Sequence, residues 1–207
     1  MHRKHFYIFR HGETDWNAEG RFQGHIDIPL NEQGRAQARK LMDVLKPSGM
    51  QAVLSSDLSR ALETAQIVAA GLGIPVFSEV GLREAHLGEA QGMTYEEIRI
   101  RFGEDVLGRW RSDFPTDADV SYPGGETGAE VMARVFATVE RFALDPRNSA
   151  YSQIGISCHG GVIRRMMQRI RPPGSPPVKI PNTVLYRLVW DPLTGEWQIF
   201  GSGSGGA

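Results

Sequence analysis

Short apolar runs of strand length alternate along this chain with longer segments in which apolar residues recur at helical spacing. The strand-like runs cover residues 5–9, 52–54 and 154–157. Helical patterns follow each of these runs, so that strands and helices take turns along the sequence. Alternation of this kind is typical of a layered α/β domain with a mostly parallel sheet. We therefore expect an α/β fold whose sheet has one antiparallel edge.

Helix starts are marked by residues whose side chains satisfy free backbone N–H groups. Asn31 precedes one helical pattern, and two capping boxes, Thr94 with Glu97 and Thr127 with Glu130, precede two others. In a capping box the two side chains bind each other's backbone N–H groups. These positions therefore predict three helix N-termini.

The C-terminal part of the chain predicts a β-hairpin with strands over residues 184–190 and 197–200. Residues 103–125 have weaker periodicity and several Asp, Pro and Gly residues, which indicates an irregular excursion over the sheet. No internal repeat divides the sequence. We expect one domain over residues 1–200 and a flexible Gly/Ser tail over residues 201–207.

Composition excludes several classes of protein. The net charge of −1 argues against a general binder of nucleic acid or anionic membranes, because both partners favour a strongly basic surface. A single cysteine, Cys158, excludes an intrachain disulfide framework and a multi-cysteine metal site. No apolar stretch approaches the ~20 residues that a membrane-spanning helix needs. We expect a cytoplasmic protein with no nucleic-acid or membrane partner.

Three polar clusters follow predicted strands, at the positions where α/β proteins bind ligands. Arg10 and His11 follow the first strand, Arg60 lies shortly after the second, and His159 with Gly160 follows the third. Each feature taken singly is more often structural than functional. Together they indicate one pocket that contains two histidines and two arginines.

The residue types in these clusters suit phosphoryl transfer. Guanidinium groups bind phosphate oxygens with paired hydrogen bonds, and glycines such as Gly160 let backbone N–H groups approach an anion. Two neighbouring arginines lower the pKa of an imidazole, which keeps it a neutral nucleophile. Charge neutralisation by arginine needs no metal. The sequence lacks both a P-loop lysine motif and an HExxH helix, so we expect no metal and no cofactor.

The same segments carry a family resemblance. The motif Arg10-His11-Gly12-Glu13-Thr14 and the Ser-Cys-His-Gly-Gly run at residues 157–161 resemble the histidine phosphatase superfamily, the phosphoglycerate mutase-like group. Further segments match in family order between residues 5 and 165: 21–24, 27–31, 55–61, 82–84 and 125–127. The resemblance implies a three-layer α/β/α sandwich.

The resemblance also implies a role for individual residues. His11 would be the nucleophile that becomes phosphohistidine, and Glu84 would be the acid and base that serves the leaving group and then water. The remaining site residues would surround the phosphoryl group or contact substrate: His159, Arg10, Arg60, Asn17 and Gly160 for phosphate, and Gln23 and Gly24 for substrate. Glu89, Glu96 and Glu97 are the alternative acids, and we prefer Glu84 on its position in the family pattern.

Three functions fit these residues. The first is a metal-independent phosphatase of the histidine acid phosphatase type, which hydrolyses a small phosphorylated metabolite. The second is a cofactor-dependent phosphoglycerate mutase, which needs a second anion site. Four arginines could supply that site, offset by nearby acids: Arg99, Arg101, Arg109 and Arg111. The third is a non-catalytic binder of phosphorylated ligands. The compact segment between Glu84 and His159 favours the phosphatase.

The sequence does not identify the phosphomonoester. We expect residues between 103 and 125 to determine specificity, near Trp110, Phe114 and Tyr122. Homodimers are common in the resembling family, and a homodimer is therefore expected here.

Overall fold

The computed structural model describes residues 2–112, 115–172, 175–176 and 178–203. Its centre is a six-stranded sheet with the strand order β3-β2-β4-β1-β5-β6. The strands are β1 (Lys4–Arg10), β2 (Ala52–Ser55), β3 (Val76–Ser78), β4 (Gln153–Cys158), β5 (Leu185–Asp191) and β6 (Glu196–Gly203). β3, β2, β4 and β1 are mutually parallel, whereas β5 and β6 pair antiparallel. The expected parallel sheet with an antiparallel edge is confirmed.

Helices follow the strands along the chain. They are α1 (Asp15–Ala18), α2 (Glu32–Leu45), α3 (Ser59–Leu72), α4 (Tyr95–Phe102), α5 (Glu104–Trp110), α6 (Gly128–Leu144) and α7 (Gly160–Ile170). Alternate residues of β1 belong to two different hydrophobic clusters. Phe6 and Ile8 pack with residues of α6 and α7, while Phe9 packs with residues of α2 and α3. Side chains of a strand point alternately to its two faces, so the sheet is covered by helices on both sides.

The predicted helix starts are confirmed. The Asn31 side chain accepts a hydrogen bond from the backbone N–H of Gly34 (2.8 Å), and both capping boxes are formed at Thr94 and Thr127. α7 begins at Gly160, and His159 is its N-cap residue. The second histidine therefore stands directly before the first turn of this helix.

Some local expectations were wrong. The segment 103–125 is not irregular throughout, because residues Glu104–Trp110 form α5 and bury Leu107. The strand β3 was not predicted, since its three residues carry no buried apolar run. The expected tail boundary at residue 200 also needs correction. β6 continues to Gly203, because its backbone pairs with β5 as far as Leu185. Residues 204–207 lie outside the described part of the chain.

No helix in the described ranges combines the length and the apolar character needed to cross a membrane.

Candidate active site

The three polar clusters meet at one edge of the sheet. β2, β4 and β1 are neighbours and run parallel, so their carboxyl ends lie side by side. His11 follows β1, Arg60 lies in the first turn of α3 after β2, and His159 follows β4. A cavity of about 550 Å³ opens at this edge, and its lining includes His11, Arg10 and Arg60.

His11 is buried and held in one tautomer. Its Nδ1 lies 2.6 Å from the carbonyl oxygen of Gly12, which can only accept a hydrogen bond. Nδ1 therefore carries the proton, and Nε2 of the neutral ring carries a lone pair. Burial, and then the charges of Arg10 and Arg60, place the pKa of His11 well below its ordinary value. The imidazole is therefore uncharged at neutral pH, as a nucleophile would have to be.

Two arginines with spare donors flank this histidine. Arg60 is only 1% exposed and donates to the carbonyl oxygens of Gly24 (2.7 Å) and Ile26 (3.0 Å). Arg10 donates from Nη1 to the carbonyl of Ile180 (2.9 Å). The Nε atoms of both arginines are buried and have no hydrogen-bond partner among the described residues. Burial lowers the pKa of Arg60 to about 10, so the group remains cationic at neutral pH and can bind an anion.

His159 is fully buried and lies next to His11, but it is not among the residues that line the cavity. Its ring centroid lies 5.3 Å from that of His11, and its Nε2 is 2.8 Å from the hydroxyl oxygen of Ser56. Burial is the largest cause that lowers the pKa of His159, followed by the charge of Arg60. Ser56 was part of the cluster after β2 in the sequence, but no role was predicted for it. The signal that could have found it is its position at a strand end.

Glu84 is the carboxylate of the site. Its Oε2 accepts from the backbone N–H of Gly161 (2.9 Å), and its Oε1 accepts from the backbone N–H of Ala85 (2.9 Å). Among the described residues that line the cavity, Glu84 is the only acid. The alternative acids have other partners, because Glu96 binds Arg99 and Glu97 caps α4. Glu89 binds Arg101. Of the four candidate acids, Glu84 is therefore the one that the cavity contains.

The other expected site residues line the same cavity: Asn17, Gln23, Gly24 and Gly160. The Asn17 side-chain oxygen accepts from Asn182 Nδ2 (3.2 Å), which also donates to the His11 carbonyl (3.0 Å). Sequence reasoning missed Asn182, since it lies in a loop 171 positions from His11 along the chain. No pattern in that loop pointed to the site.

Besides Arg10 and Arg60, five cationic side chains line the cavity, and we call this part of its lining the outer wall. They are Arg21, Arg111, Arg164, Arg165 and Lys179, and the rings of Tyr95 and Trp110 line the cavity with them. Of the four arginines considered for a second anion site, Arg111 lies here, over the Tyr95 ring at 4.9 Å. Arg99, Arg101 and Arg109 are instead paired with Glu96, Glu89 and Asp117.

The expected specificity residues are only partly in place. Trp110 lines the cavity. Tyr122 does not, because it is buried in the core at 1% exposure and packs against Trp110 and Phe102. Phe114 lies outside the described residues.

Metal-ligating side chains do not cluster in the described ranges, where no group of three or more His, Cys, Asp or Glu residues could hold an ion. Metal independence of the reaction stays a prediction.

Three known proteins are similar to this chain over most of its length. The chain is 40% identical over 179 residues to phosphoglycerate mutase-like protein 4 of Arabidopsis thaliana, covering 85% of this chain and 75% of that protein. It is 30% identical over 166 residues to a 2,3-bisphosphoglycerate-dependent phosphoglycerate mutase of Gloeobacter violaceus, covering 79% of this chain and 74% of the relative. A mycobacterial glucosyl-3-phosphoglycerate phosphatase solved with VO3 superposes with a TM-score of 0.82 and 28% identity, over 98% of this chain and 100% of the other.

The model of one family matches almost the whole chain, over residues 6–201. The chain belongs to the histidine phosphatase superfamily, branch 1.

Proposed function

We propose that this protein is a phosphomonoester hydrolase that works through a phosphohistidine at His11. The observation that carries the proposal is the buried, neutral His11 between two arginines, with the Glu84 carboxyl group lining the same cavity. Arginine charge takes the place of a metal in neutralising the phosphoryl oxygens.

The reaction divides into two transfers. In the first, Nε2 of His11 attacks phosphorus, the bond from phosphorus to the leaving oxygen breaks, and Glu84 gives that oxygen a proton. In the second, water attacks the phosphorus and gives a proton to the Glu84 carboxylate, and the phosphorus–nitrogen bond breaks to release phosphate. One carboxyl group thus acts first as an acid and then as a base.

The cavity supports a small phosphorylated metabolite with a second anionic group as substrate. The transferred phosphoryl group would occupy the inner end, between Arg10 and Arg60. A second anionic group would meet the outer wall, where Arg111 and Lys179 add positive charge. The related mycobacterial phosphatase is named for glucosyl-3-phosphoglycerate, a compound that carries a carboxylate group as well as a phosphate group.

The test of the proposal is rapid-quench labelling with a ³²P-phosphomonoester. Wild-type protein should form an acid-labile, base-stable phosphoenzyme and release phosphate, and His11→Ala should do neither while keeping its circular dichroism spectrum. His5→Ala is the matched control, since His5 lies at the opposite end of β1. Turnover by His11→Ala would refute the mechanism. Activity that disappears with a chelator and returns with magnesium or zinc would refute metal independence.

A phosphoglycerate mutase is the second candidate, favoured by the cationic outer wall and by the names of the curated relatives. It would interconvert 3- and 2-phosphoglycerate when bisphosphoglycerate is added, with little release of phosphate. The hydrolase would release phosphate in proportion to substrate consumed. A binder without catalysis would show neither reaction and no phosphoenzyme.

A further inference from the structure

The segment that carries Glu84 is held by residues to which the mechanism gives no role. We infer that Arg134, Glu126 and His25 are positioning residues, which fix the backbone of Glu84 so that its carboxyl group reaches the leaving oxygen. The inference rests on the proposed function, because it assigns these residues to the proton-transfer step of that reaction.

Arg134 in α6 binds three carbonyl groups of this segment. Its Nη2 donates to the carbonyl oxygen of Glu84 (2.9 Å). Its Nη1 donates to those of Arg83 (2.7 Å) and Gly81 (3.0 Å). Residues 83–87 belong to no helix or strand, so their carbonyl groups have no regular ladder to bind. The guanidinium group of Arg134 supplies hydrogen-bond donors to the carbonyl groups of Arg83 and Glu84 instead.

Glu126 fixes the orientation of Arg134. Its two carboxylate oxygens accept from Nε (2.7 Å) and Nη2 (2.9 Å) of Arg134, which is the paired geometry that orients a guanidinium plane. One of these oxygens also accepts from the backbone N–H of His86 (2.7 Å), and the backbone N–H of Glu126 donates to the His86 carbonyl (2.8 Å). Glu126, in the Gly125-Glu126-Thr127 motif, thereby also holds the backbone of His86, two residues after Glu84.

His25 approaches the Glu84 carbonyl from the opposite loop. Its Nε2 donates to that oxygen at 2.7 Å. The loop around His25 also offers its Gly24 and Ile26 carbonyls to Arg60. The backbone of Glu84 and the side chain of Arg60 are therefore both hydrogen-bonded to the loop around His25. The Glu84 carbonyl oxygen accepts from two side chains, those of His25 and Arg134.

These hydrogen bonds matter because Glu84 can transfer a proton only when its carboxyl group is within hydrogen-bond distance of the leaving oxygen. A shift of about 1 Å in a reacting group can cost on the order of a hundredfold in rate. The carboxyl group itself is held by two backbone N–H groups, those of Ala85 and Gly161. If the backbone of Glu84 moves, both hydrogen bonds are lengthened together.

The experiment compares Arg134→Lys with Arg141→Lys. Arg141 lies on the same helix, is exposed, and pairs only at the surface with Glu79 (2.8 Å) among the described residues. Lysine keeps the charge of Arg134 but cannot bind three carbonyl groups and both Glu126 oxygens at once. Each variant is measured with an alkyl phosphate and with 2,4-dinitrophenyl phosphate, whose leaving group departs without a proton. The rate of His11 phosphorylation is followed in single turnovers.

We expect Arg134→Lys to slow phosphorylation by the alkyl phosphate by about tenfold or more. Phosphorylation by the dinitrophenyl ester should stay within about twofold of wild type, since that step needs no acid. Arg141→Lys should stay within about twofold with both substrates. Equal losses with both esters, an unchanged rate in Arg134→Lys, or the same loss in Arg141→Lys would overturn the inference.

If Arg134→Lys does not fold, the His25 variants decide the matter. His25→Leu removes the donor to Glu84 and should show the same selective loss, whereas His25→Gln retains an N–H donor and should recover most of the alkyl phosphate rate. Equal rates in the two His25 variants would overturn the inference. A wild-type protein that never phosphorylates His11 would instead refute the proposed function.

Discussion

The Glu84 carboxylate accepts a hydrogen bond of 2.9 Å from the backbone N–H of Gly161, in the first turn of the helix that follows His159. The N-terminus of α7 therefore positions both Glu84 and His159. Gly161 has no side chain in the way, and a Cβ atom there would lie 2.4 Å from Glu84 Oε1. The absence of a side chain at Gly161 thus leaves room for the Glu84 carboxylate.

Gly161→Ala should displace Glu84 and slow hydrolysis of an alkyl phosphate by about tenfold or more, because crowding of this kind costs ~1–3 kcal/mol or a side-chain shift. Gly160→Ala is the matched comparison and should have a smaller effect. A Cβ atom at Gly160 would meet only ordinary contacts, the nearest being Arg10 Nε at 3.6 Å. Steady-state kcat for both variants tests this, and equal activities would contradict it.

The free energy of unfolding should fall as the pH drops below about 6.5, the ordinary pKa of histidine. His11 and His159 are buried with pKa values well below that value, so the unfolded chain binds more protons than the folded one. Stability from these two groups is complete above pH 6.5 and is lost towards their folded pKa values. Each contributes a slope of up to about 1.4 kcal/mol per pH unit. Burial also lowers the pKa of His25, which adds to this loss.

Urea unfolding between pH 5 and pH 8 measures this slope. Carboxylates with lowered pKa values, such as Asp57, lose their contribution only at lower pH. Replacing His11 by Asn should make the slope between pH 6.5 and pH 5 shallower. A wild-type stability that does not change over this range would show that the two buried histidines are not held neutral.

Arg111→Ala should raise KM by about tenfold for a phosphomonoester that carries a second anionic group, since a charged hydrogen bond is worth ~1.5–3 kcal/mol. KM for an alkyl phosphate whose alkyl group carries no charge should change much less. Arg109→Ala is the control, because Arg109 lies two positions away and pairs with Asp117 outside the cavity lining. Equal changes for the two substrates would remove the second anion site from the proposal.

Much of this architecture follows from local sequence. The strand-like runs, the cap at Asn31 and the capping boxes at Thr94 and Thr127 depend on residues only a few positions apart, and all are found in the structure. The short strand β3 was missed because its backbone pairing with β2, rather than an apolar pattern, makes it a strand. The extension of β6 to Gly203 has the same cause in its pairing with β5.

The sequence by itself determined the α/β alternation and the residue types of the inner site, because both appear as local patterns. Only the tertiary structure decided which distant residues join them. Asn182 beside His11, Ser56 beside His159 and Arg134 behind Glu84 are hydrogen-bond partners across long stretches of chain. Such contacts depend on the order of strands in the sheet and on the packing of α6, and no local pattern encodes either. The cationic outer wall arises in the same way.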